Sequence, residues 1–159
     1  SLSADGTTLA VGAPYNGGAG YEAGHARVFA WDSVDETWKQ RGGDIDGEAA
    51  DDWSGWSVSL SADGTMLAVG AWGNDPDNFL PDAGHARVFA WDSGTWVKRG
   101  DDIDGEAAFD QSGYSVSLSA DGTALAVGAS GNDGAGSNAG HARVFAWNSD
   151  DDTWIQRGD

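Results

Sequence analysis

Carboxylates are the most abundant chemistry this sequence can offer. Asp44, Asp46, Glu48 and Asp52 fall within nine residues, and Asp102, Asp104, Glu106 and Asp110 repeat the arrangement. Calcium prefers about six to eight oxygen ligands, so it is the ion such clusters suit. The spacing follows the start of an EF-hand loop but lacks its closing glutamate. The competing role is structural: Asp and Gly fix turns by bonding nearby backbone groups. That role is favoured, and calcium is the only cofactor left open. His25, His85 and His141 occupy one repeated position. Three imidazoles can build a zinc centre, but equivalent positions in successive units are held apart, so local hydrogen bonding is expected of each. Arg27, Arg87 and Arg143 lie two residues further on among apolar neighbours. A buried guanidinium needs a carboxylate, so ion pairs between units are expected. Tyr15, Tyr21, Trp72 and Phe79 stand beside Asn, Asp and Gly in variable segments. Such loops suit stacking and hydrogen bonding to a sugar, against the plainer role of solvated connections.

Other chemistries are missing. With no cysteine there is no thiolate nucleophile and no Cys-based zinc site. No nucleophile–base–orienter set stands out. The glycines fall in hairpins, not between a strand and a helix, so no phosphate loop is formed. Arg99-Gly100-Asp101 and Arg157-Gly158-Asp159 spell a tripeptide that integrins recognise. The first unit reads Arg41-Gly42-Gly43-Asp44 instead, and the match is taken as chance.

The elements that must position these residues are repeats, the first thing to seek in any sequence. The block Ser-Leu-Ser-Ala-Asp-Gly-Thr starts at Ser1, Ser59 and Ser117, a spacing of 58 residues. A second block, Gly-His-Ala-Arg-Val-Phe-Ala-Trp, starts at Gly24, Gly84 and Gly140. The chain therefore divides into repeats at 1–58, 59–116 and 117–159, forming one array. Within a repeat, Trp56–Ser61 alternates polar and apolar residues, the mark of a strand. Ala62-Asp-Gly-Thr65 is a hairpin turn. Met66–Ala71 is apolar throughout, as in a strand covered on both faces. His85–Trp91 puts Ala86, Val88 and Ala90 on one face and Arg87, Phe89 and Trp91 on the other, and Trp96–Arg99 is a short outer strand. Four antiparallel strands per repeat, small residues on one face and aromatics on the other, give sheets stacked face to face. The fold class is all-β, with three four-stranded propeller blades. Trp31, Trp91 and Trp147, with Phe29, Phe89 and Phe145, are expected between the sheets. The acidic segments are expected as polar links.

Composition narrows the partners. There are 26 acidic and 8 basic residues, a net charge of −18, which repels nucleic acid and anionic membranes. No apolar run approaches the roughly 20 residues of a membrane-spanning helix. Seventeen aromatic residues, nine of them Trp, argue for a packed core despite the charge.

Gly55-Trp56-Ser-Val-Ser-Leu followed by Leu67-Ala-Val-Gly-Ala71 resembles the FG-GAP repeat, the blade unit of integrin α-subunit propellers and of bacterial and algal surface proteins. Trp56 and Tyr114 replace the usual aromatic, and Gly12-Ala13-Pro14 completes the motif's second half. The resemblance implies a propeller used in extracellular or cell-surface binding. Integrin-type blades often carry an Asp-rich calcium loop between their first two strands. Here that loop is Ser-Ala-Asp-Gly-Thr, and one carboxylate cannot supply the oxygens calcium needs.

The functional expectation is a non-catalytic extracellular propeller for adhesion or binding of protein or glycan. A structural repeat protein assembling head to tail into a fibre or sheath is the alternative, and a carbohydrate-acting propeller enzyme ranks third. Near-identical repeats are read as arguing against an enzyme, because a catalytic site needs residues that differ between blades. Three blades alone are expected to leave two apolar faces bare, so the array should be part of a larger propeller or be completed by further copies of the chain.

Overall fold

A computed structural model describes residues 1–76 and 80–158. Its elements are all strands: β1 (Thr8–Ala13), β2 (His25–Asp32), β3 (Thr37–Gln40), β4 (Ile45–Asp46), β5 (Ser57–Leu60), β6 (Met66–Ala71), β7 (His85–Asp92), β8 (Thr95–Lys98), β9 (Ile103–Asp104), β10 (Ser112–Leu118), β11 (Ala124–Ala129), β12 (His141–Asn148) and β13 (Thr153–Gln156). They form three antiparallel sheets, β1–β4, β5–β9 and β10–β13, one per propeller blade. Among the described residues there is no helix long and apolar enough to cross a membrane.

The turns follow from local chemistry. In the second blade Asp63 accepts from the Ser61 hydroxyl and from the Thr65 N–H, at 2.7 and 3.0 Å, and Gly64 takes φ +67°. Asp5 and Asp121 do the same in the other blades, each held down to about 2 chiefly by its serine hydroxyl. These loops spend their single carboxylate on the turn itself.

The blades pack small face against large face. Ala10, Ala26, Val28 and Ile45 of the first blade meet Leu60, Leu67, Val69 and Phe89 of the second. Met66, Ala68, Ala86, Val88 and Ile103 of the second then meet Leu125, Val127 and Phe145 of the third. Burying each Leu or Val side chain in these layers contributes about 1.5–3 kcal/mol. Near the inner strands the blades approach at backbone distance. A methyl group on Gly12 would overlap the Gly55 carbonyl, and one on Gly70 would overlap that of Gly113. The repeated glycines thus let one blade's β1 or β6 touch the entry to the next blade's inner strand.

Two expectations change. The acidic link is not merely a polar connection: β4 pairs with the start of β2, and β9 with the start of β7. A buried isoleucine, Ile45 or Ile103, anchors each of these short strands, so the second blade has five strands, not four. The Trp rings are also less enclosed than expected. Phe89 and Phe145 are buried, but Trp31 is 41% exposed. Trp31, Trp91 and Trp147 instead pair across the sheet with Trp38, Trp96 and Trp154, at centroid distances of 5.2–5.5 Å. Trp91 and Trp147 meet the preceding blade at Gly42 and Gly100. Arg41 covers Trp91 at 4.5 Å and Arg99 covers Trp147 at 4.3 Å. The stacked Arg99 belongs to the integrin-type tripeptide, so its guanidinium is engaged within the fold.

Candidate functional site

The end of β6 and the start of β5 lie at one edge of the sheet, opposite the Asp-Gly hairpin, because the two strands are antiparallel. The same holds for β10 and β11. Five aromatic residues converge along this edge. Trp56 precedes β5 and meets Tyr15 at 6.4 Å, Trp72 at 5.6 Å and Tyr114 at 5.6 Å between ring centroids. Trp53 lies against Trp72 at 4.2 Å, and its indole N–H donates to Glu22 at 3.0 Å. Gly73 leaves room for the Trp53 ring, which a side chain there would strike. Tyr15 and Tyr114 are 64% and 43% exposed. The Trp72 indole N–H is shielded from solvent without an acceptor, a cost that buried polar groups seldom bear. The cluster draws on all three blades: Trp56 and Tyr114 share one repeated aromatic position, and the other three members break the repeat. Trp72 corresponds to Pro14 and Ser130, Trp53 to Gln111, and Tyr15 to Gly73 and Gly131.

Tyr15 and Trp72, two of the four loop residues singled out by sequence, are therefore brought together. Tyr21 is 72% exposed and pairs with no other ring among the described residues. Its hydroxyl is pushed up by the neighbouring Glu22 carboxylate. Phe79 lies outside the described residues. Trp53, Trp56 and Tyr114 were not proposed from sequence as site residues. The available signals were an aromatic at Trp53 where the next repeat has Gln111, and a shared aromatic position at Trp56 and Tyr114.

The acidic links scatter their carboxylates. Asp52 is buried and accepts the Glu48 and Ala49 N–H groups, both at 2.8 Å, and the Asn74 side-chain amide. Asp110 binds Glu106, Ala107 and Asn132 in the same way. Asp44 takes a bidentate bond from Arg27, at 2.9 and 2.7 Å, and Arg27 with Gln40 holds its carboxyl down at about 2. Glu48 and Glu106 turn to the next blade, to Arg87 at 3.2 Å and Arg143 at 3.8 Å. The inter-blade ion pairs read from the sequence thus form at two of the three arginines, while Arg27 pairs within its own blade. Among the described residues, the four carboxylates of one link do not gather at one point. The groupings that do form each include a histidine: His25 with Asp44 and Asp46, and His85 with Glu48 and Asp102. His85 is pushed down to about 3 by burial and by Arg87, so it is neutral at physiological pH. Asp104 is raised by burial and by the nearby Asp102 and Glu48 carboxylates.

The FG-GAP repeat profile matches residues 45–89 and 103–145, together more than half of the chain. The chain belongs to the FG-GAP repeat family. No curated protein matches it in sequence. Among solved structures, a protein of Bacteroides uniformis described as a "putative 6-phosphogluconolactonase" aligns with a TM-score of 0.62 at 17% identity. The alignment covers 99% of the FG-GAP chain and 39% of that protein, so the present chain spans well under half of its relative's length. The likeness shows the fold. It also corrects one expectation: a protein described as an enzyme shares this architecture, so the similarity of the blades does not argue against an enzyme.

Proposed function

We propose that this FG-GAP array is an extracellular or cell-surface binding module whose ligand is a glycan, held at the aromatic edge of the blades. The observation that carries the reading is the convergence of Tyr15, Trp53, Trp56, Trp72 and Tyr114, three of them at positions where the otherwise near-identical repeats carry no aromatic ring. A specific site needs such differences, since identical blades present identical surfaces. Exposed tyrosine rings offer faces for sugar C–H groups with a hydroxyl at the tip, as aromatic side chains at wet interfaces do. The net charge of −18 favours neutral or basic ligands over anionic ones. The family's usual place in surface propellers supports the location.

Screening the chain against a glycan array, followed by tryptophan fluorescence titration of each hit, tests this reading. Binding that is lost in Tyr15→Ala and Tyr114→Ala, with folding retained, is the expected result. Hits that bind both variants as well as wild type would move the site elsewhere. An array without hits would overturn the glycan reading.

A further inference from the structure

We infer that the junction between the first and second blades holds a zinc-class divalent cation, ligated by His85, Glu48 and Asp102. The ligand-capable atoms of these three residues all lie within 4.8 Å of one another. They come from three separate elements: Glu48 from the link after β4, His85 from the first position of β7, and Asp102 from just before β9. None is adjacent to another in sequence, so the fold alone assembles them.

A second observation is independent of that proximity. His85 is 1% exposed, and its Nε2 is buried with no hydrogen-bond partner. Leaving a buried ring nitrogen unpaired is destabilising, and an ion bound at Nε2 would offset that. The next junction repeats the arrangement in part. His141 Nε2 is also unpaired, and it faces Glu106 Oε2 at 3.7 Å. The first blade differs: His25 Nδ1 lies 3.7 Å from Asp44, and Asp44 is already engaged by Arg27 on both oxygens.

The donor set selects the ion. Calcium and magnesium take oxygen ligands, whereas zinc binds imidazole and carboxylate together, usually four-coordinate. Zinc–nitrogen and zinc–oxygen bonds of about 2.0–2.1 Å place tetrahedral ligand atoms about 3.3 Å apart. Glu48 closes the remaining gap most readily, because its side chain is 46% exposed and can rotate. Arg87 approaches Oε1 of Glu48 at 3.2 Å, and Lys98 approaches Oδ1 of Asp102 at 2.9 Å. Each carboxylate keeps a second oxygen for the ion. Asp104 adds a third carboxylate near Asp102 and Glu48, and Lys98 and Arg143 face it. The open side at Glu48 admits water as the fourth ligand. Occupancy would tie the first blade's link to the second blade's strand.

Calorimetric titration of the whole chain with zinc chloride, at neutral pH and physiological salt, tests the site. The salt screens diffuse attraction to the acidic surface. One saturable zinc per chain is expected, with a rise in melting temperature that calcium does not reproduce. His85→Gln and Glu48→Gln should each weaken zinc by at least about tenfold, the lower end of what disturbing a ligand's surroundings costs. His141→Gln should leave this affinity unchanged. Because Glu48 is half exposed, its variant keeps the test sound even where His85→Gln unfolds, as circular dichroism would report. Absence of saturable zinc binding, unchanged affinity in Glu48→Gln, or equal competition by calcium would each overturn the assignment.

Discussion

Leu67 and Trp72 are five residues apart in the second blade. Leu67 is fully buried, and the matching positions in the other blades are Leu9 and Leu125. Trp72 stands at the sheet edge, and the matching positions are Pro14 and Ser130. The interior repeats because each blade must present the same large face to its neighbour's small face. The edge is free of that constraint, so its residues can differ and a ligand site can be assembled from them. Within one blade, the repeated packing residues thus lie in the middle of a strand and the variable ones at its end.

Substitutions along this division should separate stability from binding. The largest loss of stability is expected inside. Phe89→Ala should cost about 3–5 kcal/mol and Leu67→Ala about 2–5 kcal/mol, as cavities in a packed core do, read from denaturant unfolding midpoints. Trp91→Ala should cost less than Phe89→Ala, since the Trp91 ring is half-buried against Arg41 and Gly42 of the preceding blade while Phe89 is buried in the core. Equal losses would return the Trp faces to the core.

Gly70→Ala comes next. Its added methyl meets the Gly113 carbonyl of the next blade, and overpacking of this kind costs about 1–3 kcal/mol. Gly43→Ala, with open space around it, should change stability by less than about 0.5 kcal/mol. If both glycines tolerate alanine equally, the close approach of the blades is not a stability determinant.

At the edge, Tyr15→Ala should shift stability by no more than about 0.5 kcal/mol, as exposed positions do, and Tyr114→Ala, whose ring packs on Trp56 and Trp72, by less than Gly70→Ala does. They should nonetheless abolish glycan binding in fluorescence titrations. A stability loss as large as that of Gly70→Ala would make the edge a packing surface and erase the contrast.

The smallest effect concerns the outer strands. Asp44 has its folded value lowered from 3.8 to about 2, first by the Arg27 bond and then by Gln40. A carboxyl lowered on folding adds stability above its unfolded value, and that stability fades as pH falls through the folded one. Melting temperature should therefore decline between pH 3.8 and about 2 in part through this pair, and Asp44→Asn should make that part of the profile less steep, with Asp5 and Asp121 keeping the rest. An identical acid limb in the variant would show that Arg27 and Asp44 do not couple in solution.

The sequence by itself determined the blade. The spacing of Ser1, Ser59 and Ser117, the alternation in Ser57–Leu60, the apolar run Met66–Ala71 and the Asp-Gly turns are local signals, and strand periodicity and turn chemistry are set by near neighbours in the chain. Which side chains meet across blades was decided only in three dimensions. Nothing local in Asp44-Ile45-Asp46 distinguishes a polar link from a short strand, because the partner that makes it one, the start of β2, lies about twenty residues away. Tyr15, Trp56 and Tyr114 belong to three different blades, and Glu48, His85 and Asp102 to three different elements. Their proximity follows from stacking the sheets at glycine contacts, and contacts between residues so distant in sequence are fixed by the packing of whole blades.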